Sequence, residues 1–272
     1  MSLRSFYWSQ WSFLTRANSV LLYFAAVHWV SLAQPIGGVD VNQLLFDLPA
    51  LPAVPMSDGS AYYPVGRIFC VGRNYVEHAI EMGLEVDREA PFYFTKTPWA
   101  AQANGSLLAY PPGTENFHYE MELALAIGTP VFRAGKDLAR SAIHSYCCAL
   151  DMTRRDLQLA ERAKQRPWDL GKDVEGSAVF APLTPAESIG DIGPQRIHLA
   201  LNGDLKQDAR LSDMVWAVDE IVSHLSHFYH LRPGDLILTG TPAGVGPVVP
   251  GDKITGGIEG LEPISLTISE AE

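Results

Sequence analysis

Cysteine is scarce in this chain: Cys70, Cys147 and Cys148 are the only three in 272 residues. Two are adjacent and none has the spacing of a disulfide framework or a zinc site, which argues against a disulfide-stapled scaffold and a zinc module. They read as reduced core residues in a reducing, cytoplasmic setting. Positive charge is also short. Lys and Arg number 20 against 31 Asp and Glu, a formal net charge of −11. Phosphate binding wants a basic patch, so no nucleic-acid partner is expected. Small anions stay within reach of a few local cations or a metal. The apolar run Val20–Val30 is shorter than the roughly 20 residues a bilayer-spanning helix needs, and no membrane partner is expected. The chain has no GKS/GKT loop and no GxSxG elbow, which argues against a nucleotide-phosphate site and a serine hydrolase.

What is present is a core. Hydrophobic residues make up 47% of the chain and charged residues 19%, enough for one large domain or two small ones and unlike a disordered chain. Residues 1–40 stand apart: up to Gly38, Arg4 and Arg16 are the only charges in an aromatic, apolar stretch. This stretch reads either as a signal-like segment, with Ser31-Leu32-Ala33 at the cleavage position, or as an extension upstream of a later start such as Met56. The interruption at His28 and the long leading stretch favour the second. Residues 41–64, rich in Pro and Ala, read as an extended lead-in.

Further along, "GRIFCVGRNY" is a short β-type run and "VEHAIEMG" is one or two helical turns closed by Gly83. "PFYFTKTP" and "HYEMELALAIG" read as strands, the second ended by Gly128. Residues 137–149 are expected to be helical, running into "CCALDMT". Thr153 is the expected N-cap of a helix "RRDLQLAERAKQR" that stops at Pro167. "RIHLALNGDLKQ" is a hairpin turning at Asn202-Gly203. Ser212 is the expected cap of a helix over 213–230, with Met214, Val218, Ile221, Val222 and Leu225 on one stripe. A buried strand then enters the loop "TGTPAGVG", and "PISLTI" is the last strand. Strands dominate and do not alternate regularly with helices, so the fold class expected is α+β and strand-dominated, not a doubly wound sheet.

The chemistry starts in "HYEMEL". Side chains two apart on a strand point the same way, so His118, Glu120 and Glu122 share a face. Two carboxylates that close repel, more so when buried, and a divalent cation relieves the repulsion. Oxygen donors select Mg²⁺, Mn²⁺ or Ca²⁺ over zinc. The pattern alone fits alternating acids on a solvent face equally well. Asp151 follows the apolar run "YCCAL" and reads as a third oxygen ligand or as a helix-entry acid favoured by the dipole. His78 and Glu81, three apart on one helical face, fit a proton-accepting imidazole oriented by a carboxylate, or an ordinary surface pair. Lys172 lies beside Asp173 and Glu175, as a solvated lysine or a positive clamp. "TGTPAGVG" offers N–H groups and a hydroxyl to a carboxylate.

Taken in order, "CVGRNYVEHAIEMG", "PFYFTK", "HYEMELALAIG", "LDMTRRDLQ", "RPWDLGK", "LNGDLKQ" and "LRPGDLILTGTPAGVG" resemble the fumarylacetoacetate hydrolase family. The resemblance runs from about Val65 to the C-terminus, which makes 65–272 the catalytic domain. It implies a mixed β-sandwich or roll with few peripheral helices, usually a homodimer. It implies Mg²⁺ or Mn²⁺, with Ca²⁺ a further candidate, on Glu120, Glu122 and Asp151. It implies that His78 and Glu81 activate water, that Lys172 acts with them, and that Arg155, Gln158 and Thr241 hold the substrate. "LDMTRRDLQ", "RPWD" and the "FDLP" lead-in are most similar to the branch that hydrolyses acylpyruvates such as fumarylpyruvate in aromatic catabolism. That implies metal-dependent carbon–carbon hydrolysis of a small 2,4-diketo acid. The same site would also serve oxaloacetate decarboxylation or isomerisation of a diene diacid, and a non-catalytic binder of the same fold is a further alternative. The run Lys172-Asp173-Val174-Glu175 departs from the family pattern of a small residue, Phe and Asp after the lysine. Its two acids are expected to weaken the lysine as a clamp, and Val174 to change the pocket wall.

Overall fold

The computed structural model describes residues 45–46, 50–83 and 88–271; the readings made for residues 1–40 and for part of the lead-in lie outside them. The run "MELALAI", strand β8 (Met121–Ile127), is buried at every position, which a strand can be only when both its faces are covered. It lies within an eight-stranded sheet. The order is β4 (Phe92–Lys96), β3 (Arg67–Gly72), β15 (Asp235–Leu238), β8, β9 (Ile143–Asp151), β11 (Ala178–Phe180) and β5 (Ala101–Ala103), with β12 (Thr184–Pro185) also on β9. β15 runs parallel to β3, and β8 is antiparallel to both β15 and β9.

A five-stranded sheet, β14 (Asp204–Arg210), β13 (Arg196–Leu201), β17 (Lys253–Ile258), β18 (Ile264–Ser269) and β6 (Leu107–Ala109), lies against β8 and β9. Gln207 of β14 accepts the Met121 N–H at 2.9 Å and ties the two layers together. β10 (Thr153–Arg154), β7 (Phe117–Tyr119) and β16 (Gly246–Val248) form a third sheet, and β1 (Ala53–Pro55) pairs with β2 (Tyr62–Pro64). The helices are short: α1 (Val76–Glu81), α2 (Lys136–Ser141), α3 (Arg155–Ala163), α4 (Asp169–Lys172), α5 (Ala186–Ile189) and α6 (Val218–Leu225). The architecture is the strand-dominated α+β class that the sequence predicts. Among the described residues no helix is long and apolar enough to cross a membrane.

Three local expectations change. Residues 137–149 are not one helix: α2 ends at Ser141 and β9 begins at Ile143. β9 pairs on both sides and is buried from Ser145 to Asp151, so it shows no alternation to separate it from a buried helix. Thr153 does not cap α3, which starts from Arg154 without a side-chain cap. Ser212 does not cap α6; that helix begins at Val218, and Glu220 accepts the Ala217 N–H at 2.9 Å. Val218, Ile221, Val222 and Leu225 form the buried stripe, while Met214 precedes the helix and bridges to Tyr75. All three cysteines are free and buried. Burial pushes their thiols up, Cys148 to about 12.

Candidate active site and metal centre

Strand pairing assembles the acids. β8 and β9 run antiparallel with Glu122 opposite Ala149, so the start of one lies beside the end of the other. Asp151, at the end of β9, donates its N–H to the Glu120 carbonyl at 2.9 Å. Glu120, Glu122 and Asp151 are all buried, and one carboxylate oxygen from each lies within 4.8 Å of the others. The chain leaving β15 reaches the same end of β8. Thr239 donates its N–H to the Leu123 carbonyl at 3.0 Å, and Gly240 donates its N–H to Glu122 Oε2 at 2.7 Å. Gly240 has φ +95°, and a Cβ there would sit 2.8 Å from the Asn74 Cβ. Glycine is therefore what lets this amide face the carboxylate.

Three buried cations face the acids. Lys172 Nζ is 2.7 Å from Glu120 Oε2, from Asp151 Oδ2 and from the Thr153 hydroxyl. The Arg155 guanidinium bonds the other Glu120 oxygen and donates to Gln158 Oε1 at 2.5 Å. Lys96 Nζ lies 2.8 Å from Asp151 Oδ1, too poorly aligned for a hydrogen bond, and donates to the Ser177 hydroxyl at 2.8 Å and to the Lys172 carbonyl. Lys172 is brought in by Gly171, where a Cβ would sit 2.7 Å from the backbone nitrogen of Gln158; only a glycine lets α4 press this closely on α3.

The acids respond unequally. Burial alone would raise the Glu120 carboxyl, but Lys172, Arg155 and His78 together outweigh it and hold the group well below the usual carboxylate range. Glu122 has no ion-pair partner among the described residues. Burial, then Asp151 and Glu120, push its carboxyl well up. Burial opposes the charge on Lys172, yet Asp151 and Glu120 raise it overall, so the ammonium persists. A buried, like-charged set of hard oxygen donors with no nitrogen or sulfur member fits a divalent Mg²⁺- or Mn²⁺-type ion.

His78 Nδ1 is 3.2 Å from Glu81 Oε2, and both Glu81 oxygens accept the Gly244 N–H, at 3.1 and 3.2 Å. Burial lowers the His78 imidazole, against the opposing pull of Glu120 and Glu81, so it is neutral at neutral pH. Thr241 accepts from Gln207 Nε2 at 2.8 Å, which leaves its hydroxyl proton to donate elsewhere. His78, Glu120, Glu122, Asp151, Arg155, Gln158, Lys172 and Thr241 all line one cleft of about 480 Å³. Glu81 stands behind His78. His118 shares the acids' face but turns to Asn116, at 2.8 Å, and to the Arg155 Nε, at 3.5 Å. Burial and Arg155 hold it down to about 4.

Within the departure after Lys172, Asp173 and Val174 do not act as expected. Asp173 turns away and accepts the Thr97 N–H and hydroxyl at 2.9 and 3.0 Å. Val174 is buried outside the cleft lining, and the ring beside the lysine is Phe94, its centroid 5.0 Å from Nζ. Sequence reasoning missed Lys96, Thr153 and Gln207 as supports of the site. For Lys96 a signal exists: on β4 it shares a face with Phe92 and Phe94 in "PFYFTK".

Residues 67–269 match the family described as fumarylacetoacetate (FAA) hydrolase C-terminal. The chain is 51% identical over 193 residues to a fumarylpyruvate hydrolase from Ralstonia sp, covering 70% of this chain and 100% of that protein. It is 37% identical over 214 residues to the human mitochondrial oxaloacetate tautomerase FAHD1, covering 78% of this chain and 96% of that one. The crystal structure of fumarylpyruvate hydrolase from Pseudomonas aeruginosa in complex with Mn²⁺ and pyruvate superposes with a TM-score of 0.80 at 42% identity, covering 84% of this chain and 100% of that chain. With the motif order, the buried acidic triad and a match over most of its length, the chain belongs to the fumarylacetoacetate hydrolase family.

Proposed function

We propose that this protein is a metal-dependent hydrolase of carbon–carbon bonds in 2,4-diketo acids, with fumarylpyruvate its substrate and fumarate and pyruvate its products. One observation carries the reading: three buried carboxylates and His78, backed by Glu81, line one cleft. Identity of 51% to a fumarylpyruvate hydrolase supports the choice of substrate.

Glu120, Glu122 and Asp151 would hold the metal. When bound, it supplies Lewis-acid polarisation of the 2-oxo acid end and positive charge for an enolate oxygen. His78 takes a proton from water, and Glu81 orients the ring and stabilises the imidazolium that forms. Water adds to the C4 carbonyl, the C3–C4 bond breaks, and its electron pair passes into the enolate of pyruvate. Lys172, kept charged by its carboxylate neighbours, faces that developing negative charge before it appears. Gln158 and Thr241 offer donors to the substrate's oxygens. Arg155 spends its guanidinium on Glu120 and Gln158 and so acts through them as well as by its charge. A proton delivered to C3 releases pyruvate, and the acyl half leaves as fumarate.

A second reading keeps the groups and drops the attacking water: keto–enol exchange on oxaloacetate, favoured by 37% identity to an oxaloacetate tautomerase. The two separate in one assay. Purified protein with Mg²⁺ or Mn²⁺ is expected to release fumarate and pyruvate from fumarylpyruvate, and EDTA to abolish this. Metal-dependent enol–keto conversion of oxaloacetate without any fumarate release would replace the first reading by the second.

A further inference from the structure

The proposed mechanism uses one end of the cleft, and the other end is cationic. Arg155, Gln158 and Arg162 stand at i, i+3 and i+7 on α3 and so share a face. The first two are buried at the acids. Arg162 is half-buried and lines the same cleft, about 10.5 Å along the helix from Arg155 at 1.5 Å per residue. Among the described residues its guanidinium has no ion pair or hydrogen bond, since Glu161 beside it faces Arg166 at 3.9 Å. Arg73 lines the cleft too. Its guanidinium carbon sits over Trp168, 5.9 Å from the ring centroid. Phe94 and Trp168, their ring centroids 5.9 Å apart, give the cleft an aromatic wall. A second hollow takes in Arg73, Arg162 and Arg166, and among the described residues that line it Asp169 is the one acid. Among the described residues of that hollow, three arginines face a single acid.

We propose that Arg162, with Arg73 on the same cleft, forms a subsite for the far carboxylate of a dianionic diketo acid, and that the aromatic wall accommodates the planar acyl chain between the two ends. This rests on the hydrolase reading above and deepens it, because it selects acyl groups that end in a carboxylate. The dimensions agree. In a seven-carbon 2,4-diketo diacid the carboxyl carbons are roughly 7–8 Å apart at ordinary bond lengths, which a flexible arginine one face along the helix can span. A guanidinium is suited to the task because it stays charged and grips a carboxylate with two parallel N–H groups.

The test is a ratio. Steady-state kcat/KM with Mn²⁺ is measured for fumarylpyruvate and for acetylpyruvate, which carries the same 2,4-diketo acid but ends in a methyl group. The full-length protein, Arg162→Met and Arg162→Lys are compared. In Arg162→Met the ratio of fumarylpyruvate to acetylpyruvate is expected to fall about 10- to 100-fold, the worth of a hydrogen-bonded charge, mostly through KM. Arg162→Lys should restore part of it. A ratio unmoved by Arg162→Met overturns the subsite, and equal loss on both substrates does the same, because it marks a structural role. If the native protein cleaves neither substrate, the hydrolase reading falls and the subsite falls with it. If it cleaves both and only the ratio fails to move, the subsite alone is lost.

Discussion

In "HYEMEL" the acids Glu120 and Glu122 point into the molecule; in β14, "DLKQDAR", Asp204 and Asp208 point to water and only Gln207 is buried. Both stretches alternate, and both carry two acids. On β14, Asp208 meets Arg196 at 2.6 and 3.0 Å, and Asp204 meets Lys206 at 3.7 Å. Water solvates whatever those pairs leave unsatisfied, so the arrangement is replaceable. Inside, nothing but protein can answer a charge. Lys96, Arg155 and Lys172 are all spent on Glu120 and Asp151, and among the described residues the Glu122 carboxylate meets only the Gly240 amide. Burying ion pairs costs folding energy that apolar residues would not. A protein that keeps such a cluster, with one acid left without a cation, has a use for the deficit, and a divalent ion meets it.

The largest expected effect sets one stretch against the other directly. Glu122→Gln should lower kcat/KM for fumarylpyruvate by about 10²–10³-fold, the scale seen when one charge-stabilising group leaves an active site, and should weaken Mn²⁺ binding in calorimetry. Asp208→Asn should change neither. Equal effects at the two positions would erase the distinction between inward and outward acids.

Next comes Lys96, which holds Asp151 from behind and does not itself line the cleft. Lys96→Met leaves a buried carboxylate with one cation fewer, and breaking a buried pair costs about 3–5 kcal/mol. For a domain of this size that is a fall in Tm of about 6–20 °C, together with weaker metal binding. An unchanged Tm would show that Asp151 does not depend on Lys96.

The smallest effect is a displacement along the pH axis. Burial lowers His78 below its ordinary 6.5, so the base stays deprotonated further into acid and the acid limb of kcat/KM should lie below pH 6.5. Glu81 opposes that shift by stabilising the imidazolium. Glu81→Gln should therefore move the limb lower still while kcat falls. A limb that moves up in the variant would mean that Glu81 does not face the titrating group.

The acids are legible because strand periodicity alone puts Glu120 and Glu122 on one side, and the run of motifs brings in Asp151, His78, Glu81 and Lys172. What stays hidden is set by close approach between distant segments. Thr153 has every local mark of a helix cap, yet its hydroxyl serves Lys172 and the Asp151 carbonyl. β9 conceals its strand character because it is covered on both faces. Arg162 looks like any helical surface arginine until α3 is laid along the cleft. Asp173 looks like a competitor for Lys172 until the fold brings Thr97 in to claim it.

The buried thiols turn this core into its own clock. A thiol reacts with an alkylating reagent only as an exposed thiolate, and burial denies Cys70, Cys147 and Cys148 both conditions. Each labelling event therefore counts an opening of the sheet. Cys70 lies on β3 and the adjacent pair on β9, on opposite sides of β15 and β8. The order in which they are modified reveals which flank of the molecule lets go first.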